Sequence, residues 1–179
     1  MKEPTNKTLD RIDMSSILSN IPETDTNLKY IDMPSGQEHY RLLVWLGKQV
    51  KGRILDLGTF RGHSALCLGY GGQEVNSWDI ENHLSINKRP KNVFFIIDID
   101  GHKNVNDSFD LIFLDTLHDG IYERQVLDHL RSIKWKGILV MDDIVLFPEL
   151  AKLWSEIPER KEDWTDIGHH SGTGVVYFE

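Results

Sequence analysis

RILDLGTFRGHS, residues Arg53 to Ser64, is the stretch whose reading decides the fold. Ile54-Leu55-Asp56-Leu57 is a short apolar run of the kind buried as a parallel strand. Gly58 to Gly62 supplies a tight turn, and Ser64-Ala65-Leu66-Cys67-Leu68 continues as a helix-compatible segment. The turn reads Gly-x-x-x-Gly, not the Gly-x-Gly-x-x-Gly that brings backbone against a pyrophosphate. Asp56, inside the end of the strand, repels a phosphate but can accept hydrogen bonds from a cationic or amino-bearing ligand, which argues against a dinucleotide.

Composition bounds the rest. A chain of 179 residues, 40% hydrophobic with five Trp and seven Phe, can bury one α/β core and is too short for two ordinary domains. The formal charge of −8, with no basic stripe, disfavours nucleic acid and anionic membrane as partners, since binding phosphates needs clustered Lys and Arg. No apolar run approaches the length of a membrane span and no charged-then-apolar leader is visible, so a soluble, cytoplasmic protein is expected. The single cysteine, Cys67, sits among Ala65, Leu66 and Leu68 and reads as a packed core thiol rather than a nucleophile.

Around the opening stretch the chain alternates strands and helices. Residues 1–29 are rich in Thr, Asn, Asp and Ser, with a modest apolar pattern at Leu9, Ile12, Ile17, Leu18 and Ile21 between Pro4 and Pro22. They read as an arm with a short helix, outside the core and able to cover a site or a partner, ahead of a single domain at 30–179. Tyr30 to Gln37 is loop-like, and Glu38 to Val50 carries apolar residues at 42, 43, 46 and 50, a helix stripe. Glu74–Asp79, Asn92–Asp98, Asp110–Asp115 and Gly137–Asp142 read as strands two to five. Pro90 and the lack of a stripe leave room for only a stunted helix between the second and third. Helices are expected at Tyr122–Ile133 and Phe147–Ile157, and a hairpin from Trp164–His170 and Gly174–Phe178 around Ser171-Gly172-Thr173.

Acids end these strands. Asp79 lies 23 residues past Asp56, near the distance at which a carboxylate meets the two ribose hydroxyls in a βαβ unit; a solvated strand-end acid is the plainer alternative. Ligands of open parallel sheets bind beyond the carboxyl ends of the strands, so Asp115, Asp142 and Asp143 should converge on one rim. A hard divalent cation such as Mg²⁺ relieves the repulsion among three such acids. Singly, each is equally a turn or helix N-cap acid.

In order and content, Asp56-Leu-Gly-Thr-Phe-Arg-Gly, Asp79 after a strand, Phe-Asp-Leu-Ile-Phe-Leu-Asp115 and Gly137-Ile-Leu-Val-Met-Asp142-Asp143 resemble the class I S-adenosylmethionine-dependent methyltransferases. The likeness runs from about Ser35 to Phe178 and is strongest to the metal-dependent catechol-type and macrocin-type O-methyltransferases. It implies a Rossmann-like α/β fold with a seven-stranded, mostly parallel sheet of order 3-2-1-4-5-7-6 closed by an antiparallel hairpin. It also implies methyl transfer from S-adenosyl-L-methionine to a hydroxyl oxygen of a small-molecule acceptor. Carried over by position, the cofactor contacts are Asp56, Gly58, Phe60, Gly62, Ser64, Asp79 and Asp98, and the Mg²⁺ ligands are Asp115, Asp142 and Asp143. The catechol enzymes have Asn at the last of these, which changes the charge the cluster carries. His118, three residues after Asp115 where those enzymes place a basic lysine, is a candidate general base. Its segment Asp-x-x-His-x-x-x-Tyr leaves open a pocket or ligand role and a structural role at a helix start.

His169 and His170 fall in the hairpin turn, where solvent is the first reading and substrate contact the second. Trp154 and Trp164 read as core or interface, and exposed tryptophans permit a homodimer. Two other functions fit parts of the pattern. One is an S-adenosylmethionine-binding protein without catalysis; the other is a different α/β enzyme such as a dehydrogenase, which Asp56 and the missing third glycine disfavour.

Overall fold

Successive side chains of a strand face opposite sides of its sheet, and here both sides are apolar. Ile54, Leu111, Phe113, Val140 and Val175 belong to one buried cluster; Leu55, Leu57, Ile112, Leu114, Leu139, Met141 and Val176 belong to the other. Such strands can only lie at the centre of a three-layer α/β arrangement. The computed structural model describes every residue except Lys2, Asn27, Ile99, Asp100 and His169, and every side chain but theirs and those of Lys29, Asp32, His102 and Asn104.

In chain order the elements are α1 (Asn6–Leu9), α2 (Ser15–Leu18), α3 (Leu28–Asp32), α4 (Pro34–Gln49), β1 (Arg53–Leu57), α5 (His63–Leu68), β2 (Val75–Asp79) and β3 (Val93–Ile97). Next come β4 (Phe109–Leu114), α6 (Ile121–Ser132), β5 (Gly137–Asp142), α7 (Pro148–Glu156), β6 (Arg160–Asp163) and β7 (Thr173–Phe178). The sheet runs β3-β2-β1-β4-β5-β7-β6, the order implied by the resemblance. Its first five members are parallel, and β7 is antiparallel to both β5 and β6. Register pairs Leu57 with both Trp78 and Leu114, and Leu114 with Met141. The carboxyl ends of β1, β2, β4 and β5 are therefore level, and the segments leaving these strands meet on one rim.

Three local expectations change. Tyr30–Gln37 is not a loop: α3 occupies its start, and Pro34 opens α4, the position where a proline's missing N–H costs nothing. A Cβ at Gly36 would run into the carbonyl oxygen of Tyr30, so this glycine lets α4 begin directly against α3. The first strand of the hairpin is Arg160–Asp163, earlier than expected; Trp164 instead turns the chain, its carbonyl accepting from the amides of Ile167 and Gly168, while its ring is buried. The charged sequence of β6 suits an edge strand, which must not invite further pairing.

The arm, third, is not outside the core. Leu9, Met14, Ile17 and Ile21 are buried in the cluster that also holds α4 and α5 residues, each side chain contributing roughly 1.5–3 kcal/mol. The reason lies across the sheet. Residues 80–91 form no helix, so the space beside β2 and β3 is filled by the arm, with Ile86 and Phe95 packed against the same cluster. No helix among the described residues is long and apolar enough to cross a membrane.

Asp56 is the polar exception in β1. It is fully buried, and its Oδ2 accepts from Ser64 Oγ at 3.0 Å and Ser77 Oγ at 2.6 Å. Burial pushes its carboxyl up to about 7, against the pull of the two serine hydroxyls and helped by the charges of Asp115 and Asp79. Because the folded chain holds this proton more tightly than the unfolded chain, the stabilisation is full below the ordinary carboxylate range and is lost as pH rises through about 7. Asp56→Asn stays neutral throughout. Its melting temperature relative to the parent protein should therefore rise between about pH 5 and about pH 8, and a pH-independent difference would rule out Asp56 as the titrating group.

Candidate functional site

The turn after β1 is held by backbone. Gly58 and Thr59 donate to the carbonyl of Trp78 at 2.9 and 3.2 Å, and Gly62 donates to Thr59 at 2.7 Å before opening α5. Gly58, Phe60 and Gly62 have φ of +100°, +40° and +88°. A Cβ on Gly58 would collide with the carbonyl oxygen of Asp115, so only glycine allows the turn and the end of β4 to touch. Asp115 N in turn donates to Leu57 O at 2.9 Å.

Asp79 stands at the end of β2, half-buried. Its Oδ2 accepts from Phe60 N at 2.6 Å and its Oδ1 from Ile80 N at 2.7 Å and Glu81 N at 3.3 Å. Asp98 N donates to the Asp79 carbonyl at 2.9 Å, which puts the third strand's acid on the same rim. Of the residues expected at the cofactor, Gly58, Phe60, Gly62, Asp79 and Asp98 gather here. Asp56 and Ser64 lie beneath, bonded to each other, and shape the turn from inside the core. A cavity of about 500 Å³ beside Glu74, Arg89 and Phe94 lies elsewhere, on the outer flank of β2 and β3.

Beyond β4 and β5, His118 Nε2 is 3.0 Å from Asp115 Oδ1 and 3.2 Å from Asp143 Oδ2. These three side chains offer ligand atoms within 4.8 Å of one another, close enough to share one ion. Asp142, expected as the third ligand, faces the other way: its Oδ1 is 3.8 Å from His39 Nδ1 on α4, and both are buried. Strand alternation explains the exchange. Asp142 shares the face of Val140, toward α4, while Asp143 leaves the strand with φ +59° and turns outward. Burial, with the charges of Asp115 and Asp143, pushes the Asp142 carboxyl well above the usual range.

Among the described residues, non-glycine positive φ occurs at Phe60, His118, Lys134 and Asp143, so three of the four lie on this rim. Such backbones cost about 1–3 kcal/mol each and persist where surroundings over-determine them. For His118 the surroundings are Glu123, buried in the first turn of α6. It accepts from His118 N at 2.9 Å and Thr116 Oγ1 at 2.8 Å through Oε1, and from Gly120 N at 2.9 Å through Oε2. The His118 ring stacks on Phe147, centroids 5.4 Å apart and planes 20° from parallel. Burial opposes charge on His118, but the hydrogen bond to Asp115 and the charges of Asp115, Asp143 and Glu123 outweigh it and raise its pKa. The imidazolium so favoured neutralises the two acids as a cation would. In that form it has no lone pair for a proton, so service as a base requires something else to meet the acids' charge.

Sequence reading missed the α3–α4 side of the rim. Tyr30 is half-buried, and burial together with the charges of Asp142, Asp143 and Asp115 pushes its phenol up to about 12. The rings of Tyr30 and Tyr40 are 6.5 Å apart edge to face, and those of Tyr40 and His39 4.9 Å. Taking 30–37 as a loop hid Tyr30. Glu123 was readable: an acid three residues after a helix-opening glycine is a capping signature. His170 is exposed in the turn before β7, and His169 lies outside the described residues.

No protein-family model matches the sequence, and no curated protein matches it. Solved structures do match in three dimensions. SAH-bound methyltransferase PaMTH1 of Podospora anserina is 18% identical with a TM-score of 0.63, covering 100% of this chain and 99% of that one. The O-methyltransferase TomG of Streptomyces achromogenes, in complex with SAM, is 16% identical with a TM-score of 0.60, covering 99% and 92%. A putative O-methyltransferase of Klebsiella pneumoniae is 18% identical with a TM-score of 0.56, covering 98% and 91%. At such identities the likeness speaks for the fold, and activity must be argued from the site. In strand order, in the antiparallel hairpin that closes the sheet and in these neighbours, the chain has the fold of the class I S-adenosylmethionine-dependent methyltransferases.

Proposed function

We propose that this chain transfers a methyl group from S-adenosylmethionine to a hydroxyl oxygen of a small molecule, with a divalent cation, Mg²⁺ in the first instance, at the acid rim. The observation that carries the reading is the touch between Gly58 and the Asp115 carbonyl. It sets a donor-type glycine turn and an acid cluster side by side, as an in-line transfer between two bound molecules requires.

The residues fit both groups. Asp79 is half-exposed, and its Oδ2, already oriented by the Phe60 amide, keeps a lone pair for a ribose hydroxyl. Asp115 and Asp143 suit a hard cation such as Mg²⁺, with His118 left free of it. A divalent cation held by Asp115 and Asp143 would supply the positive charge that lowers the pKa of an acceptor hydroxyl. With the acids' charge met, His118 takes the hydroxyl proton at Nε2, and Phe147 holds its ring in place. The methyl carbon leaves sulfur as the new O–C bond forms, and the sulfonium becomes a neutral thioether. Tyr30, whose phenol stays protonated, offers a hydrogen bond to the acceptor. Leu117, Ile121, Leu146 and Phe147 are exposed in the loops after Asp115 and Asp143, apolar surface suited to an acceptor's carbon skeleton.

Calorimetric titration with S-adenosylhomocysteine tests the donor site. The parent protein should bind, and Asp79→Ala should weaken binding by about tenfold or more, the loss of a charge-assisted hydrogen bond. Absence of binding by the parent protein would end the reading. On the acceptor side, Asp115→Ala should abolish turnover of hydroxylated acceptors while leaving the homocysteine-product affinity within about threefold. Full activity of the parent protein in excess chelator would remove the cation from the mechanism.

A further inference from the structure

Asp25 belongs to the arm, between α2 and α3, and its side chain has no exposed surface. Its Oδ2 lies 3.3 Å from Arg61 Nη1 and 3.5 Å from His63 Nε2, the residues on either side of Gly62 in the turn after β1. Burying a lone carboxylate costs several kcal/mol, so this one is held in place by the guanidinium it meets. His63 is also buried, and burial lowers its pKa against the pull of Asp25, leaving the ring neutral and the trio balanced.

The arm has a second anchor. Asn20 exchanges two hydrogen bonds with the backbone of Lys88, both 2.7 Å, and its carbonyl accepts from Asn87 N at 2.7 Å. Ser85 N donates to Arg61 O at 3.0 Å. Arm, residues 85–88 and glycine turn thus form one closed ring of polar contacts. The turn needs it. Phe60, a non-glycine at φ +40° between Gly58 and Gly62, has a backbone shape that lasts only when its surroundings fix it. Asp79 fixes it at Phe60 N, and Asp25 at Arg61, with the His63 ring packed 3.5 Å away.

We infer that Asp25 is a positioning residue for the methyl donor: by pairing with Arg61 it holds the Gly58–Gly62 turn in its donor-receiving shape, and so links seating of the N-terminal arm to donor binding. This rests on the reading of that turn as the S-adenosylmethionine site. Linkage is reciprocal, so a bound donor must in turn tighten the arm.

The test uses the 179-residue chain and S-adenosylhomocysteine. On saturation, backbone amide exchange over residues 17–26 should slow in the parent protein. Asp25→Asn, which keeps the shape and removes the charge, should weaken binding about tenfold and abolish the slowing. Asn20→Ala, which contacts neither the turn nor the donor, should weaken binding in the same direction. A merely structural role for Asp25 would lower the melting temperature and leave affinity unchanged, which overturns the inference. Arm exchange indifferent to ligand in the parent protein overturns it as well, even if Asp25→Asn fails to fold. A parent protein that binds no S-adenosylhomocysteine overturns the donor site itself, whereas binding by the parent and equal binding by Asp25→Asn removes this inference alone.

Discussion

One close approach governs the geometry: the α-carbon of Gly58 against the carbonyl oxygen of Asp115. It is possible because β1 and β4 are parallel neighbours in matched register, Leu57 beside Leu114, so that both chains leave the sheet at the same height. Any side chain at position 58 would push the two exits apart. The glycine turn would then part from the acids, and the carbonyl of Trp78 from the amides of Gly58 and Thr59. Everything chemical in the molecule is arranged around that touching pair.

The electrostatics of the rim derive from strand alternation. Two consecutive acids end β5, and they are sent to opposite environments: Asp142 beneath α4 beside His39, Asp143 outward to His118. A cluster of three carboxylates thereby becomes two carboxylates and an imidazole, with the third acid kept close enough for its charge to be felt. His118 is at once counter-ion and candidate base. Which role it plays depends on whether another positive charge shares the cluster.

The frame was legible because it rests on local signals: apolar runs of four to six residues, glycines where the turn needs them and acids at strand ends. Those signals carry the parallel strands and the gathering of Gly58, Asp79, Asp115 and Asp143, while the order of the sheet came with the family resemblance they support. What escaped depends on pairings distant in sequence. Nothing in Ile17 or Ile21 reveals that they share a core cluster with Ile86 and Phe95, and no periodicity in 30–37 announces that Tyr30 lies where the acids' charges are felt. The first strand of the hairpin is a propensity lesson: Trp164 looks like a strand residue, yet the charged run before it forms β6. Likewise, the direction taken by Asp142 hinges on one left-handed residue, Asp143, where glycine would have been the readable sign.

The pairing of Asn20 with Lys88 joins residues 68 positions apart. During synthesis the arm emerges before its docking partner, which does not exist until the chain has passed β2 and is about to enter β3. Until then Ile17 and Ile21 have no lasting cover, a window in which a nascent chain is most open to self-association or to capture by a chaperone. Docking of the arm therefore waits on a partner 68 positions further along the chain.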